Sequence, residues 1–478
     1  MARPWDRTPP RDYLRLQEAL LHEQVARYLY PFSPFYRKLF DDHDIKPQRI
    51  RRLRDLDQVP LSSAEDFAAV PEDSSRPFRA LLRPDERGLK RWAHRDVLRR
   101  VAREKLVRGD ESAERLLAEE FKPVHLHLPA GPGPLAGYTM RDLSALSQAG
   151  ARSLAVMGVT RQDVLVSTLP FGPHLPFWHV HYGAQGAGLG AVHLGAGEAV
   201  RPHEAAVWMA RLGATVLASQ AAYADGFLRG APPAAFARLR VLVLWAIGGM
   251  RGARERFTAR LRAAGAPDAG VATLLGIPEA RVAWADCPAP PGQAEAAHGY
   301  HTYPDLELLE VVDGEGRGVG EGEAGELVYT SLDWRGSALL RYRTGVVARR
   351  GITTEACPGC GRTVPRVLPD LSRVDWRAMV SGPRGPLEVD LADILPELWG
   401  ARGVALWQVE VTRGGGLAGA DAIVARLGGA SPGDVAQVQA RLAPYGVRCR
   451  AVPVRELGQR MGVGTERPER RVVVRAAR

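Results

Sequence analysis

The chain of 478 residues contains only four cysteines and no long apolar run. So few cysteines exclude the dense disulfide framework of a small secreted scaffold. No apolar stretch reaches the roughly 18 residues that a transmembrane helix needs, and no apolar segment follows the charged N-terminus as it would in a signal peptide. With 45% hydrophobic and 25% charged residues, the composition is that of a folded globular protein. We therefore predict a cytoplasmic protein of about two or three domains, with reduced thiols and no membrane contact.

Lysine is scarce and unevenly placed. All five lysines lie between Lys38 and Lys122, and the chain from Pro123 to Arg478 has none. Arginine carries most of the positive charge, and the net charge of +10 is spread along the chain. No block of basic residues with interleaved aromatic residues stands out, so we predict no nucleic-acid partner. The chemical consequence is that no lysine can serve as a catalytic group in the C-terminal three quarters of the chain.

The pattern of apolar residues predicts an α/β fold. After residue 122, β-rich runs alternate with helical segments, which is typical of a core with mainly parallel strands. The predicted strands are 164–169, 190–194, 214–218 and 239–245, and the predicted helices are 142–157, 203–212 and 252–264. We divide the chain into a large N-terminal domain, 1–375, with a charged helical insertion at 80–120, and a small C-terminal α+β domain, 376–478.

Several motifs occur in a fixed order along the chain. Gly325–Leu332 reads GELVYTSL, Leu340–Gly345 reads LRYRTG, and Cys357–Thr363 reads CPGCGRT; Gly137–Leu143 and Arg211–Leu217 precede them. Together they resemble the phenylacetate–CoA ligase branch of the adenylate-forming superfamily of acyl-CoA synthetases, adenylation domains and luciferases. The resemblance implies a hinge near residues 373–375 and a C-terminal lid. It also implies a reaction in which a carboxylate and ATP give an acyl-adenylate and pyrophosphate, after which the acyl group passes to CoA.

The positions that would bind ATP depart from this family pattern. The family's phosphate loop falls on Leu128–Ala136, which has no hydroxyl group, no lysine and three prolines that lack an N–H donor. The acidic position for the ribose is Val346, and the adenylation lysine falls on Arg467 or Pro468. Arginine supplies charge but not a compact ammonium group. We therefore predict that ATP-dependent adenylation is impaired and that ATP and Mg²⁺ bind weakly or not at all.

Other family positions are retained. The resemblance assigns Glu279 to Mg²⁺ and ATP, and it assigns Gly276, Arg343 and Thr344 to nucleotide binding. A solvated loop carboxylate at Glu279 and a structural ion pair at Arg343 are the alternatives.

In the family, the stretch that matches Leu169–Gly183 lines the pocket for the acid. Here the stretch is rich in aromatic residues and histidines, so His174 and His181 are candidate pocket or catalytic residues. The alternative is an aromatic helix face that packs in the core.

A metal site is predicted from the cysteines. Cys357 and Cys360 have the spacing of a zinc knuckle, in which one tight turn supplies two thiolates. The family pattern adds Cys287 and His301, which completes a Cys3His set suited to structural zinc. His298 is a rival ligand, and a redox-active or accidental CxxC pair is the alternative.

Two functions remain open at this point. The first is a phenylacetate–CoA ligase-like enzyme that acts on an aryl or acyl carboxylate or its thioester, retains acyl transfer, and uses CoA or an acyl thioester as ligand. The second is a zinc-stapled, non-catalytic pseudoenzyme that binds a carrier protein or another protein partner. Transfer from an existing thioester needs no ATP site, so the losses described above are compatible with both.

Overall fold

Helices and strands alternate along the chain in a computed structural model that describes residues 5–129, 131–246, 250–288, 298–382, 385–416 and 419–476. None of the helices in these ranges is both long and apolar enough to cross a membrane. The helices are α1 Pro10–Glu23, α2 Tyr30–Phe32, α3 Pro34–Asp42, α4 Ala64–Phe67, α5 Glu86–Trp92, α6 Arg95–Arg108, α7 Asp110–Phe121, α8 Met140–Val156, α9 Leu175–Ala187, α10 Pro202–Leu212, α11 Ala221–Gly230, α12 Ala253–Ala263, α13 Leu391–Trp399, α14 Pro432–Leu442 and α15 Val454–Met461.

The strands form one large sheet and several small ones. They are β1 His125–His127, β2 Ala136–Tyr138, β3 Val164–Ser167, β4 Gly190–His193, β5 Val216–Gln220, β6 Val241–Ala246, β7 Gly270–Ile277, β8 Val282–Asp286, β9 Tyr300–His301, β10 Glu307–Val312, β11 Gly325–Ser331, β12 Tyr342–Ala348, β13 Ile352–Thr353, β14 Arg366–Val367, β15 Leu371–Arg373, β16 Arg377–Gly382, β17 Gly385–Asp390, β18 Leu406–Thr412, β19 Ala422–Gly428, β20 Val447–Val452 and β21 Val472–Arg475.

The large sheet has the order β13-β14-β9-β8-β7-β6-β5-β3-β4. Strands β4, β3, β5, β6 and β7 are parallel, and β8, β9, β14 and β13 continue the sheet antiparallel. The prediction of an α/β fold with mainly parallel strands is confirmed for this core. A second, antiparallel sheet has the order β10-β11-β12-β15, and the C-terminal sheet has the order β20-β19-β18-β21.

The strand order reverses at β3. The chain runs from β3 to β4 on one side and then returns to place β5 on the other side of β3. The loops that leave the carboxyl ends of these strands therefore diverge and leave a crevice between them. In open α/β sheets, ligands bind in such a crevice.

Helix α9 lies beside this crevice because it packs closely on α8. A Cβ atom added at Gly150 of α8 would lie 2.5 Å from the Cα atom of Gly183 in α9, so the two backbones are in direct contact. Helix α8 begins with a capping box: Thr139 accepts from the N–H of Asp142 at 3.3 Å, and Asp142 accepts from the N–H of Thr139 at 3.0 Å. Thr139, which lies in the Gly137–Leu143 motif, therefore fixes the start of the helix that positions α9.

The C-terminal part shares an apolar core with the rest of the chain. Trp399 and Trp407 belong to the same buried cluster as Phe227 and Phe257 of α11 and α12. Arg256 of α12 donates to the carbonyl oxygen of Val404 at 2.7 Å. Because the two parts share a core, the division into 1–375 and 376–478 is our proposal and does not rest on a break in the packing. The proposed boundary lies in a 3-10 turn at residues 374–376.

A buried carboxyl group gives the fold a pH dependence. Glu307 accepts from the backbone N–H of Tyr303 at 2.9 Å and from the indole N–H of Trp284, while its second carboxyl oxygen has no partner among the described residues. Burial raises the pKa of Glu307 to about 8, although these two hydrogen bonds act in the opposite direction. The side chain is therefore protonated in the folded protein at neutral pH.

We expect this proton to appear in the stability of the protein. Between about pH 4.5 and pH 8 the unfolded chain releases it and the folded chain keeps it, so the wild type loses about 1.4 kcal/mol of stability per pH unit from this group. Glu307→Gln has no proton to lose. The free energy of unfolding of the variant, minus that of the wild type, should rise across this range and level off above it; urea titrations at several pH values measure it. Glu119→Gln, which is exposed on α7, is the control. A difference for Glu307→Gln that does not change with pH would contradict the assignment.

Candidate functional site

The structure brings the four predicted metal ligands together. The ligand atoms of Cys287, His301, Cys357 and Cys360 all lie within 4.8 Å of one another. The Sγ atoms of Cys287 and Cys357 are 3.7 Å apart, and the Sγ atom of Cys360 is 3.3 Å from Nε2 of His301. The predicted rival ligand, His298, packs against Gly359, which lies between Cys357 and Cys360, but it is outside this group of four. The cluster could therefore bind a metal ion through three sulfur atoms and one nitrogen atom.

Backbone contacts shape the cluster. The N–H of Gly361 donates to the carbonyl oxygen of Cys357 at 2.7 Å, and Gly361 adopts a φ of +68°, which favours glycine. This turn holds both thiols on one side. Nδ1 of His301 lies 3.2 Å from the carbonyl oxygen of Ala285 and donates to it, which leaves Nε2 with its lone pair toward the thiols. A metal-binding histidine is usually oriented in this way.

The segment at the family's phosphate-loop position is held by other contacts. The N–H of Leu128 donates to the carbonyl oxygen of Pro173 at 2.8 Å, and the N–H of Leu135 donates to that of Pro77 at 2.8 Å. Two of its amides are therefore directed toward protein carbonyl groups. Glu279 lies next to this segment: a Cβ atom at Gly133 would be 3.4 Å from Oε1 of Glu279. Burial raises the pKa of Glu279.

The residues assigned to nucleotide binding have local partners. Arg343 forms an ion pair with Glu326 on the neighbouring strand at 2.6 Å, and the hydroxyl of Thr344 donates to the carbonyl oxygen of Leu327 at 2.7 Å. Gly276 lies under the ring of Trp245, since an added Cβ would be 1.8 Å from that ring. These contacts give all three residues a structural role, whatever else they bind.

The predicted acid pocket is a group of rings along α9. Phe177 stacks on His181 with the ring centroids 5.6 Å apart, and Trp178 meets His181 edge-on at 5.9 Å. Nδ1 of His181 is 3.3 Å from Nε2 of His193, and burial lowers the pKa of both imidazoles, that of His193 to about 4. Both rings are therefore neutral at pH 7. These rings combine an apolar surface with neutral hydrogen-bonding groups.

The other predicted histidine is at the start of α9. His174 is the N-cap residue, and its Nδ1 lies 3.4 Å from the carbonyl oxygen of Leu128, so it links α9 to the segment at the phosphate-loop position.

Three histidines of this region were not predicted as site residues. His193 ends β4, and His125 and His127 lie on β1 with their Nε2 atoms 2.8 Å apart. The ring of His125 meets Trp178 at a centroid distance of 4.5 Å. His127 is buried, which lowers its pKa to about 2, and its Nδ1 is 3.0 Å from the hydroxyl of Tyr138. The sequence did contain one signal for His193. It lies near the carboxyl end of the predicted strand 190–194, where side chains of a parallel sheet often contribute to a site.

The C-terminal segment, residues 462–471, crosses the crevice at the carboxyl ends of β3, β4 and β5. The carboxylate of Glu466 accepts from the backbone N–H groups of Phe171 and Ala196, the latter at 3.1 Å. The carboxylate of Glu469 accepts from the N–H groups of Ala222 and Tyr223, at 2.7 Å each. Glu466 and Glu469 flank the two positions, 467 and 468, on which the family's lysine falls.

A buried arginine accompanies this segment. Arg471 lies between Trp399 and Trp407, with its guanidinium carbon 4.4 Å and 4.6 Å from their ring centroids. Burial lowers the pKa of Arg471 to about 10 and raises that of Glu469, and each group partly offsets the shift of the other. At neutral pH Arg471 stays charged and is directed into the C-terminal core.

Comparisons with known proteins agree with this architecture, although no protein-family model matches the chain. The chain is 28% identical over 389 residues to a phenylacetate–coenzyme A ligase of Thermus thermophilus, covering 80% of this chain and 75% of that protein. It is 24% identical over 387 residues to the phenylacetate–coenzyme A ligase of Aromatoleum evansii, covering 78% and 73%.

Among solved structures, a 2-hydroxyisobutyryl-CoA ligase in the postadenylation state aligns with a TM-score of 0.71 at 19% identity, over 98% of this chain and 91% of that chain. The same enzyme in the thioesterification state aligns with a TM-score of 0.59 at 18% identity, over 99% and 91%. These structures share the fold. In sequence, the ordered motifs and the curated relatives make the chain similar to the phenylacetate–CoA ligase branch of the adenylate-forming superfamily.

Proposed function

We propose that this CoA-ligase-like protein transfers an acyl group between thiols and has lost most of its ATP-dependent adenylation. One structural observation carries the proposal: the C-terminal segment directs the carboxylate of Glu466 into the crevice. The sequence agrees with it, because the chain has no lysine after Lys122. Adenylation develops negative charge on the phosphates, and a nearby cation normally stabilises it. A carboxylate at this place would repel the triphosphate instead.

Transfer of an acyl group from a thioester needs a different set of groups. The sulfur of the acceptor thiol attacks the thioester carbonyl, and the donor thiol leaves with a proton. His181 is our candidate to accept the proton of the attacking thiol, because its imidazole is neutral at pH 7 and is positioned by His193. The thiols would be those of CoA or of a carrier protein, and the acyl group would lie against Phe177 and Trp178.

The same position of Glu466 is also compatible with a second proposed function, that of a non-catalytic binding protein. If the crevice is permanently closed by Glu466, the protein is a non-catalytic binding protein whose partner is a carrier protein or another protein. The two proposals differ in one respect only, which is whether a thioester reacts.

For the metal cluster we propose structural zinc. Three thiols and one imidazole suit Zn²⁺, and four protein ligands leave no open position for a substrate. The ion would join the end of β8, the short strand β9 and the turn at 357–360, which otherwise contact each other through a few hydrogen bonds.

The acyl-transfer proposal predicts a specific pair of activities. With ATP, Mg²⁺ and aryl acids the purified protein should release pyrophosphate only slowly, whereas benzoyl-CoA or phenylacetyl-CoA should exchange its acyl group with a second thiol. His181→Gln should slow this exchange about 10²-fold, the usual contribution of a general base. His203→Gln, on an exposed position of α10, should leave it unchanged. Rapid pyrophosphate release would contradict the loss of adenylation. An unchanged rate of acyl exchange in His181→Gln would contradict the role of His181 as the general base.

The zinc proposal predicts about one zinc ion per chain in protein purified without chelators, measured by mass spectrometry of the metal content. Cys360→Ser should lose the ion and unfold at a temperature roughly 3 °C lower, the shift expected when a chain of 478 residues loses about 3 kcal/mol of stability. Cys449→Ser is the matched control, because this half-buried thiol on β20 lies outside the cluster. A metal-free wild type that unfolds at the same temperature as Cys360→Ser would refute the proposal.

A further inference from the structure

Two backbone amides form a carboxylate site in the crevice. The N–H of Phe171 follows β3, and the N–H of Ala196 follows β4. One donates to Oε2 and the other to Oε1 of the same carboxylate, that of Glu466. A carboxylate that accepts one hydrogen bond on each oxygen is bound in a defined orientation. The amides of Phe171 and Ala196 are 25 residues apart in the sequence and come from the loops of two neighbouring strands.

Small residues shape the site around the bound segment. A Cβ atom at Gly195 would lie 2.6 Å from Oε1 of Glu466 and 2.7 Å from the ring of Phe171. Gly195 also has a φ of +72°, which other residues rarely adopt. A Cβ atom at Gly197 would lie 3.5 Å from the Cα atom of Gly464 in the C-terminal segment. The loop after β4 therefore has room for a carboxylate only because it lacks side chains at these points.

The site adjoins the predicted acid pocket. The ring of Phe171 meets that of Phe177 at a centroid distance of 5.2 Å, and Phe177 contacts both His181 and His193. A molecule with a carboxylate at one end and an apolar ring at the other would match this arrangement, with its carboxylate on the two amides and its ring against Phe177. Glu466 supplies the carboxylate but not the ring, since its side chain has no aromatic group.

We infer that the amides of Phe171 and Ala196 are a binding site for the carboxylate of a small aromatic acid, and that Glu466 is a tethered occupant that competes with it. The acid binds when the C-terminal segment withdraws, and the segment returns when the acid leaves. This inference rests on the proposed function for the chemical class of the ligand, but it does not require that any thioester react. Glu469, bound at the start of α11, holds the segment in place while Glu466 occupies the site.

Competition by a tethered group lowers the apparent affinity for a free ligand. A protein that is competent to bind for only a small fraction of the time shows a dissociation constant that is larger by the inverse of that fraction. Tethering also gives Glu466 a high effective concentration at the site. Removing its carboxylate should therefore make the free acid bind more tightly, which is unusual for the loss of a charged residue in a binding crevice.

The test is calorimetric titration of the full-length protein with benzoate and phenylacetate. Glu466→Ala and Glu466→Gln should bind these acids at least about ten-fold more tightly than the wild type. Glu456→Gln, an exposed position on α15 in the same part of the chain, removes one negative charge without touching the site and should not change the affinity. Benzamide and phenylacetamide, which lack the negative charge, should bind the Glu466 variants no more tightly than they bind the wild type. Unchanged or weaker binding of the acids in Glu466→Ala would overturn the inference, as would an equal gain for the amides or for inorganic phosphate.

A second measurement needs no variant. Hydrogen–deuterium exchange of the wild type, followed by mass spectrometry, should show faster exchange in peptides that cover residues 464–471 when saturating benzoate is added. Faster exchange supports displacement of the segment, and unchanged exchange at saturation contradicts it. Failure of acyl transfer with a positive result in both tests would refute only the proposed function. Acyl transfer without any change on removal of Glu466 would refute only the competition.

Discussion

The structure depends on the bonds between two carboxylates and four backbone amides at the carboxyl ends of the parallel strands. Glu466 and Glu469 together bind the N–H groups of Phe171, Ala196, Ala222 and Tyr223. Hydrogen bonds to an ionised group are stronger than neutral ones. Here they join segments that lie 246 to 295 residues apart in the sequence. They decide both where the C-terminal part rests and which charge faces the crevice. Glu466 and Glu469 therefore bring two carboxylates to this end of the sheet.

The fold does not depend on the residues at the nucleotide-binding positions. Its core consists of apolar contacts between the sheet and its helices, and the same cluster continues into the C-terminal part through Trp399 and Trp407. The four-atom cluster of thiols and imidazole lies at the far side of β8, where it joins β9 to the turn at 357–360. Packing and cross-links maintain an architecture irrespective of the site that it carries. The fold can therefore persist when the residues that line its crevice change.

Local patterns in the sequence predicted the parts of the molecule that local forces determine. The runs at 164–169, 190–194 and 239–245 became strands because branched and apolar residues favour a buried sheet, and the cysteine spacing at 357–360 reflects a single turn. The interaction of Glu466 with Phe171 was not predictable in this way. Nothing near residue 466 indicates a partner 295 residues away, and a glutamate in a charged stretch with a proline usually marks solvent-exposed chain. The pair of His181 and His193 was missed for the same reason, since it joins α9 to the end of a neighbouring strand.

Carboxylates of the C-terminal segment bind backbone amides at the carboxyl ends of the parallel strands, and we propose that the segment in this position keeps nucleotide out. A crystal structure of the protein grown with ATP and Mg²⁺ tests it most directly. We expect Glu466 to stay bound to the amides of Phe171 and Ala196, and we expect no ordered nucleotide between Pro132 and Val346. Well-defined density for ATP or an adenylate at that place, with Glu466 displaced, would contradict it.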